Sequence, residues 1–468
     1  MPVSTKSITD YIACCLATSP TDQELAQMAG AITSIEAGDT FSVACTALLP
    51  DVAENTGRWV YVTDIGAYRY SNGTEWTNSY NTTCRIENNI WGVGANNFGQ
   101  LATGNVDASQ TYSTIVREST NSQWSQIAGG GNFIAAIKNN GTVWSWGSGA
   151  IFATHGDGTT YGITYSSPVQ EMCSSTDWCF LDRESSHTAA IKSDGSLWSW
   201  GINSIGQQLI NACQFGTGSC SPIQEYTSSS WSKVKIGNGN VTVYGIKSDS
   251  SLWVGGSNFC GKAGTNAITC YSSPVQEISS SSWVDVDASV SHAIAIKTDG
   301  TLWGWGLNNC GQVGNETIIN HSSPVQEISS SSSWCLVSTG CCNSFSIKTD
   351  GTLWAWGWGQ FGGLANGSNS GVGATTSSPV QEISSSTNWC YANTGGSSII
   401  LGRAIKTDGS LWGWGCWASY SFGEEFGESG LRSSPVCLNL GSNDWYQIAG
   451  TSCATIGIRS QIVGFNEP

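Results

Sequence analysis

Charge is what this sequence is shortest of. Asp, Glu, Lys and Arg make up 11% of its 468 residues, against about a quarter in an ordinary globular chain. Those present are lopsided, 18 basic against 34 acidic, for a net charge of −16. Phosphate polyanions are held mainly by Lys and Arg, so nucleic acid is not an expected partner. No apolar run reaches the roughly eighteen residues a membrane helix needs, which excludes membrane insertion by that route. The opening "MPVSTKSITDYIACCLATSP" lacks the basic start and unbroken apolar core of a secretory leader, so export through a cleaved signal is not expected either. No CxxC pair occurs among the 18 cysteines, which removes zinc-ribbon and thioredoxin-type readings. Cys213/Cys220 and Cys260/Cys270 bracket short loops. They are either bridged, if the chain matures in an oxidising medium, or unbridged thiols packed as small apolar side chains.

Glycine (57) and tryptophan (23) are abundant instead. The chain is too long for one hydrophobic core, so it should be several domains or one repeat array. A repeat is visible at once. "IKSDGSLWSWG" from Ile191 returns as "IKTDGTLWGWG" from Ile296, "IKTDGTLWAWG" from Ile347 and "IKTDGSLWGWG" from Ile405. The first Trp of this hairpin falls at Trp91, Trp144, Trp198, Trp253, Trp303, Trp354 and Trp412, at intervals of 50 to 58 residues, a period that suits one propeller blade. Each unit opens on a lone Trp (124, 178, 231, 283, 334, 389, 445), runs through a small-apolar stretch to Ile-Lys, turns at Asp-Gly, returns as Leu-Trp-x-Trp-Gly, and closes on Ser-Ser-Pro-Val-Gln-Glu or a variant. Asp-Gly accepts the positive φ of tight hairpins. Pro168, Pro222, Pro274, Pro324, Pro379 and Pro435 cannot donate to a ladder, which puts that element at the start of an edge strand. Four short antiparallel strands per unit follow.

Side chains alternate along a strand, so the paired indoles share one face and the small residue between them lies on the other. The pairs are Trp144/Trp146, Trp198/Trp200, Trp303/Trp305, Trp354/Trp356 and Trp412/Trp414. We expect them to form the core between radially stacked sheets, nesting in hollows over a neighbour's small residues. A base-stacking or ligand-stacking platform is the competing reading. Two units break the rule: Ser250 replaces the turn glycine and Gly255 the second Trp in the fourth, and Val93 replaces the second Trp in the first. Something else, such as a loop, should fill those places.

The hairpin tails carry a resemblance. "WGVGANNFGQLATG" from Trp91, "WGINSIGQQ" from Trp200, "WGLNNCGQVGN" from Trp305 and "WGWGQFGGL" from Trp356 resemble the WG-x-N-x-x-GQLG motif of regulator of chromosome condensation repeats. "SHTAAIKSDGSLWSWG" and "SHAIAIKTDGTLWGWG" are similar to that family's strand, turn and WG. The resemblance spans about residues 86–466 and implies an all-β, seven-bladed propeller of four-stranded antiparallel blades over residues 85–468. Six units are whole. The fragment "ENNIWGVG" with "TYSTIVRE" should join the incomplete last unit and close the ring, as two strands plus two or three plus one.

Residues 1–84 lie outside the repeat and read as a small α+β module. Ile8, Tyr11, Ile12, Cys15 and Leu16 share a helical face, Thr21 and Glu24 form a capping-box pattern, and Asn72-Gly73 marks a hairpin turn. "LPDVAENTGRWVYVTDIGAYRYSNGTEW" resembles N-terminal regions of tail-fibre and other virion proteins of marine bacteriophages. That implies an attachment module, contacting other virion proteins or its own copies, with the propeller displayed at the particle surface.

Catalytic groups are scarce. His187 and His292 read as satisfied strand residues, and His155 and His321 occupy unrelated positions. Asp194, Asp249, Asp299, Asp350 and Asp408 sit in turns, where bonding local backbone accounts for them. Lys138, Lys192, Lys247, Lys297, Lys348 and Lys406 should reach solvent or a carboxylate. With no phosphate loop, nucleophile elbow or metal-ligand cluster, no catalytic residue, cofactor or metal site is expected. Loops such as those after Trp146 and Trp414 vary while strands do not, which points to recognition. The leading expectation is a non-enzymatic virion protein whose propeller binds a host surface receptor, protein or glycan. The alternatives are the resembling family's nucleotide exchange on a small GTPase or chromatin docking, and a bacterial surface or secreted adhesin.

Overall fold

The computed structural model describes residues 42–43, 59–62, 67–71, 76–78 and 84–464, excepting 106–110, 121, 150–153, 160–162, 185, 211–217, 226–229, 238–241, 279–281, 369–374, 395–400, 442 and 452. The N-terminal helices expected around Ile8–Leu16 and Thr21–Glu24 lie outside the described residues.

Seven four-stranded antiparallel sheets form a β-propeller. Blade 1 is composite: residues 445–450 and 454–464 supply its first two strands, and 84–95 and 111–117 the last two. The closure is therefore two plus two, and residues 458–464 belong to one long strand, 454–464. Blades 2 to 7 run continuously, over 124–170, 178–224, 231–276, 283–326, 334–381 and 389–437. First strands touch neighbouring first strands in a closed ring and so surround the axis. Fourth strands form the rim.

Register repeats from blade to blade. The lone Trp pairs with the lysine that ends the second strand, as Trp283 with Lys297, and a bulge follows immediately. In blade 5, Gly304 pairs with Val325 but Gly306 with His321. The proline therefore sits within the fourth strand, at a bulge, rather than at its start. The missing N–H falls where the ladder is already interrupted. The turn residue takes the left-handed conformation throughout, with φ 78° at Gly300 and 63° at Ser250.

Seven apolar clusters hold the propeller together, one at each seam between blades. At the seam of blades 4 and 5, Trp283, Val286, Ala295 and Trp305 pack on Tyr244, Ile246, Leu252, Val254 and Ala263 of the preceding blade. The second indole of each pair is fully buried there: Trp146, Trp200, Trp305 and Trp356 at 0% exposure and Trp414 at 1%. Each donates its Nε1–H to a loop carbonyl of the preceding blade, as Trp305 to Lys262 at 2.6 Å and Trp356 to Gln312 at 2.8 Å. The first indoles (Trp144, Trp198, Trp303, Trp354, Trp412) are half-buried, so the two members of a pair do different jobs.

The hollows also differ from expectation. The space over the small middle residue is filled by the blade's own loop, Leu101 over Gly92, Val313 over Gly304 and Phe422 over Gly413. The second indole lies instead against a left-handed loop residue of the preceding blade, such as Gly264, Gly314 or Gly156. The irregular positions are filled by loops: Leu209 covers Gly255, and Val93 packs with Phe422 and Leu440.

Residues 59–62 and 67–71 form a hairpin, with 42–43 parallel to the former and 76–78 antiparallel to the latter. Ser71 pairs with Trp76 across the Asn72-Gly73 segment.

Candidate functional site

Most residues that looked capable of chemistry serve the frame. The lysine ending each second strand stays partly exposed, except the buried Lys406, but in general meets no carboxylate. Its ammonium stands over two indoles of its own blade, as Lys297 at 4.8 Å from Trp283 and 4.3 Å from Trp303, and Lys348 at 4.5 and 4.3 Å from Trp334 and Trp354. Lys138, Lys192, Lys247 and Lys406 do the same, and Arg459 does so in blade 1. Among the described residues, Lys192 is the one of these lysines that also pairs with a carboxylate, Asp177, at 3.1 Å. The aromatic quadrupole attracts the cation, and a first indole half-open to solvent suits that role.

The turn aspartates fix the same indoles. Asp299 Oδ1 accepts from the Thr301 hydroxyl at 2.6 Å and its N–H at 3.0 Å, and Thr301 Oγ1 accepts from Trp303 Nε1 at 2.9 Å. The hydroxyl donor holds the Asp299 carboxyl below the usual range, as it does at Asp194, Asp249 and Asp350. Asn140 takes the same place in blade 2.

A third device was not anticipated. The glutamate ending each Val-Gln-Glu segment is buried and turns its carboxylate onto the next blade's lone Trp. Glu327 accepts from Trp334 Nε1 (3.2 Å), the N–H groups of Ser329 and Ser331 (2.7 and 3.0 Å) and the Ser329 hydroxyl (2.7 Å). Glu118, Glu171, Glu225, Glu277 and Glu382 hold Trp124, Trp178, Trp231, Trp283 and Trp389 likewise. The signal was the recurring distance of six or seven residues from Glu to Trp. Leu438 takes this place before Trp445, whose Nε1 is buried with no hydrogen-bond partner.

Three of the four histidines, His155, His187 and His292, are buried, and burial favours their neutral form. His292 bridges Ser289 (2.7 Å) and Ser344 of blade 6 (2.9 Å), and burial lowers its pKa to about 3. His187, also lowered to about 3 by burial, has no hydrogen-bond partner for either ring nitrogen among the described residues, so it is not the satisfied strand residue expected. His155 fills the hollow over Ser145, bonded to its hydroxyl at 3.0 Å, with its pKa lowered by burial to about 4. His321 is bonded to Asn315 at 2.9 Å. Cys220, Cys260 and Cys270 carry free thiols that are half-buried or exposed, and Cys213 lies outside the described residues. Among the described residues no group of three or more His, Cys, Asp or Glu side chains is arranged to hold a metal ion.

Three features remain that a partner could use. On the axial strands of blades 3 to 5, Lys235 lies between Asp182 (3.8 Å) and Asp287 (3.7 Å), and Lys233 pairs with Asp285. Burial disfavours the Lys235 ammonium, but the two carboxylates outweigh it and raise its pKa. Asp182 and Asp287 are themselves raised by burial, and each accepts an N–H from the next blade, Ile236 and Thr339. This network braces the axis. Second, a shallow cleft of about 280 Å³ opens between Ser113–Ile115 of blade 1 and the loop after Trp414, with Glu424, Glu425 and Asn439 on its walls. Third, the loops joining third to fourth strands clasp the next blade's rim, as the Glu316 N–H to Ser377 O and the Gly158 N–H to Cys220 O, both at 2.8 Å. Beyond the clasp, in blades 4 and 5, they expose Ile268 (73%), Ile318 (63%) and Ile319 (66%).

The fold and its repeating seams define a propeller of one particular kind. Residues 283–312 and 299–347 match models of the Regulator of chromosome condensation (RCC1) repeat. Solved structures of the same architecture include human WBSCR16, at 15% identity and TM-score 0.67, covering 80% of this chain and 100% of that one. Yeast RCC1 (Prp20), solved with Kap60, gives 15% identity and TM-score 0.67 over 82% of this chain and 90% of that one. Prp20p from Saccharomyces cerevisiae, studied for its binding to Gsp1p and histones, gives 15% and 0.65 over 81% and 92%. At such identity the likeness is one of fold. No curated protein sequence matches the chain.

Proposed function

We propose that this chain is a binding protein rather than an enzyme, and that its propeller presents the outer loops of blades 4 and 5 to a protein partner. The observation carrying this reading is the exposure of Ile268, Ile318 and Ile319 on loops whose bases are clasped to the rim. Apolar side chains held out to solvent on a rigid frame mark interaction surfaces. The histidines, turn aspartates and second-strand lysines, by contrast, are engaged within the frame. Proteins of this architecture are known with protein partners, Kap60 for Prp20 among them.

In its finer form the reading makes residues 1–84 an attachment module and the propeller a recognition head at a virion surface, with a host protein or glycan as receptor. It rests on the N-terminal resemblance and the charge-poor surface. Mass spectrometry of purified particles should find the chain, and its absence there would remove the virion role. An I268S/I318S/I319S variant should stay folded yet lose at least tenfold in affinity for the partner; unchanged affinity refutes the assignment to these loops. The second reading, exchange or histone docking as for Prp20p with Gsp1p and histones, is favoured only by an acidic chain suiting a basic surface. Accelerated release of a fluorescent guanine nucleotide from a small GTPase would establish its exchange form.

A further inference from the structure

Three thiols meet at the seam of blades 5 and 6. Cys310 lies in the loop after Trp305, and Cys341 and Cys342 form the turn between the first two strands of blade 6. The Sγ atoms of Cys341 and Cys342 are 3.7 Å apart, with Cys342 as donor. Cys310 stands near enough to the pair to interact electrostatically with it. All three are partly exposed. The blade architecture does not require them: the matching turn of blade 5 is Ser289–Ser291, and Phe98, Ile205 and Phe361 occupy the loop position of Cys310 in other blades. Donation from Cys342 lowers the Cys341 pKa to about 7, whereas burial raises that of Cys310. A thiol whose ionisation is favoured by a neighbouring donor, reachable by solvent and flanked by resolving thiols, is the arrangement that reacts selectively with peroxide.

We propose that Cys310, Cys341 and Cys342 form a peroxide-responsive site in which Cys341 is oxidised first and Cys342 resolves it as a disulfide. The Cys341 thiolate attacks one oxygen of hydrogen peroxide. The O–O bond breaks, leaving a sulfenic acid and a hydroxide that takes a proton from solvent. Cys342 then gives up its proton and attacks the Cys341 sulfur; the S–S bond forms, the S–O bond breaks, and the departing hydroxide leaves as water. Two thiols have lost two electrons, and the peroxide has become two waters. Cys310 then gives up its proton and attacks the Cys342 sulfur; the Cys310–Cys342 bond forms, the Cys341–Cys342 bond breaks, and the released Cys341 sulfur takes up a proton, so that the two blades are joined covalently.

The full chain, treated with limiting hydrogen peroxide at pH 7.5, should lose two hydrogens, with the disulfide mapping by peptide mass spectrometry to these three cysteines. It should form about tenfold faster than modification of the exposed Cys179 and Cys270. The C342S variant should let dimedone trap a sulfenic acid on Cys341, and C310S should stop at the Cys341–Cys342 bond. Oxidation of Cys179 or Cys270 as fast as Cys341 in the unmutated chain, or a disulfide mapping elsewhere, would overturn the proposal without reliance on any variant.

Discussion

Replacing Glu327 by Ala tests the account of how one blade is joined to the next. The carboxylate is 1% exposed and accepts four hydrogen bonds, one of them from an indole that is itself 2% exposed. Truncation leaves Trp334 Nε1 buried without an acceptor, at about 1–3 kcal/mol. The Ser329 and Ser331 N–H groups lie on an outer turn where water can replace the carboxylate, so each costs nearer 0.5–1 kcal/mol. The sum is about 2–5 kcal/mol. With a urea m-value of about 3 kcal/mol/M, the midpoint should fall by about 1 M. Glu327→Gln keeps one acceptor oxygen but turns an amide donor toward the other donors, and should fall about half as far. Glu316, exposed two turns away in the same blade's loop, is the control: its replacement by Ala should stay within about 0.5 kcal/mol. The assay is equilibrium urea unfolding followed by tryptophan fluorescence and far-UV circular dichroism. If Glu327→Ala unfolds at the same urea concentration as Glu316→Ala, the carboxylate does not link the blades and the reasoning fails.

Gly314→Val should destabilise by about 2–4 kcal/mol, because the site has φ 82° and a Cβ there would lie 2.8 Å from Trp356 Nε1; a native-like thermal midpoint would contradict the nesting of indole on loop glycine. Lys297→Met should cost about 1–2 kcal/mol in thermal unfolding, and Lys297→Arg less, since Arg459 occupies the matching place over Trp91 and Trp445; equal losses for both would show that charge over the indoles is immaterial. Burial lowers His155, His187 and His292 to about 4, 3 and 3. For a depressed folded pKa the favoured neutral form contributes fully above the unfolded value of about 6.5, and the contribution is lost as pH falls toward 3–4. Urea midpoints should therefore drop between pH 6.5 and 4. His292→Asn, which copies Asn343 at the same place in blade 6, should flatten that limb, and an unchanged pH profile would refute the assignment.

The order of strands and the number of blades were legible in the sequence because both follow from local chemistry repeated in register. An Asp-Gly turn, alternation of Trp with small residues, and a proline on the rim each declare themselves within ten residues, and their recurrence at blade spacing fixes the array. Loop filling of the places left by Gly255 and Val93 could also be foreseen, since a missing indole leaves a volume that close packing will not leave empty. Which indole of a pair would be buried could not. Trp303 and Trp305 lie on one face of one strand and are chemically identical; only the neighbouring blade, which covers the upper and not the lower, separates them. The lysines and glutamates show the same limit. Lys297 and Glu327 read as ordinary polar residues at strand ends, and their roles exist only once an indole from another strand or another blade stands within reach. Cys310 and Cys341 are thirty-one residues apart and belong to different blades. Local pattern determined the blade, therefore, while the contacts between blades were decided by radial stacking, because only stacking brings a residue of one repeat against its partner in the next, as Trp305 against the Lys262 carbonyl.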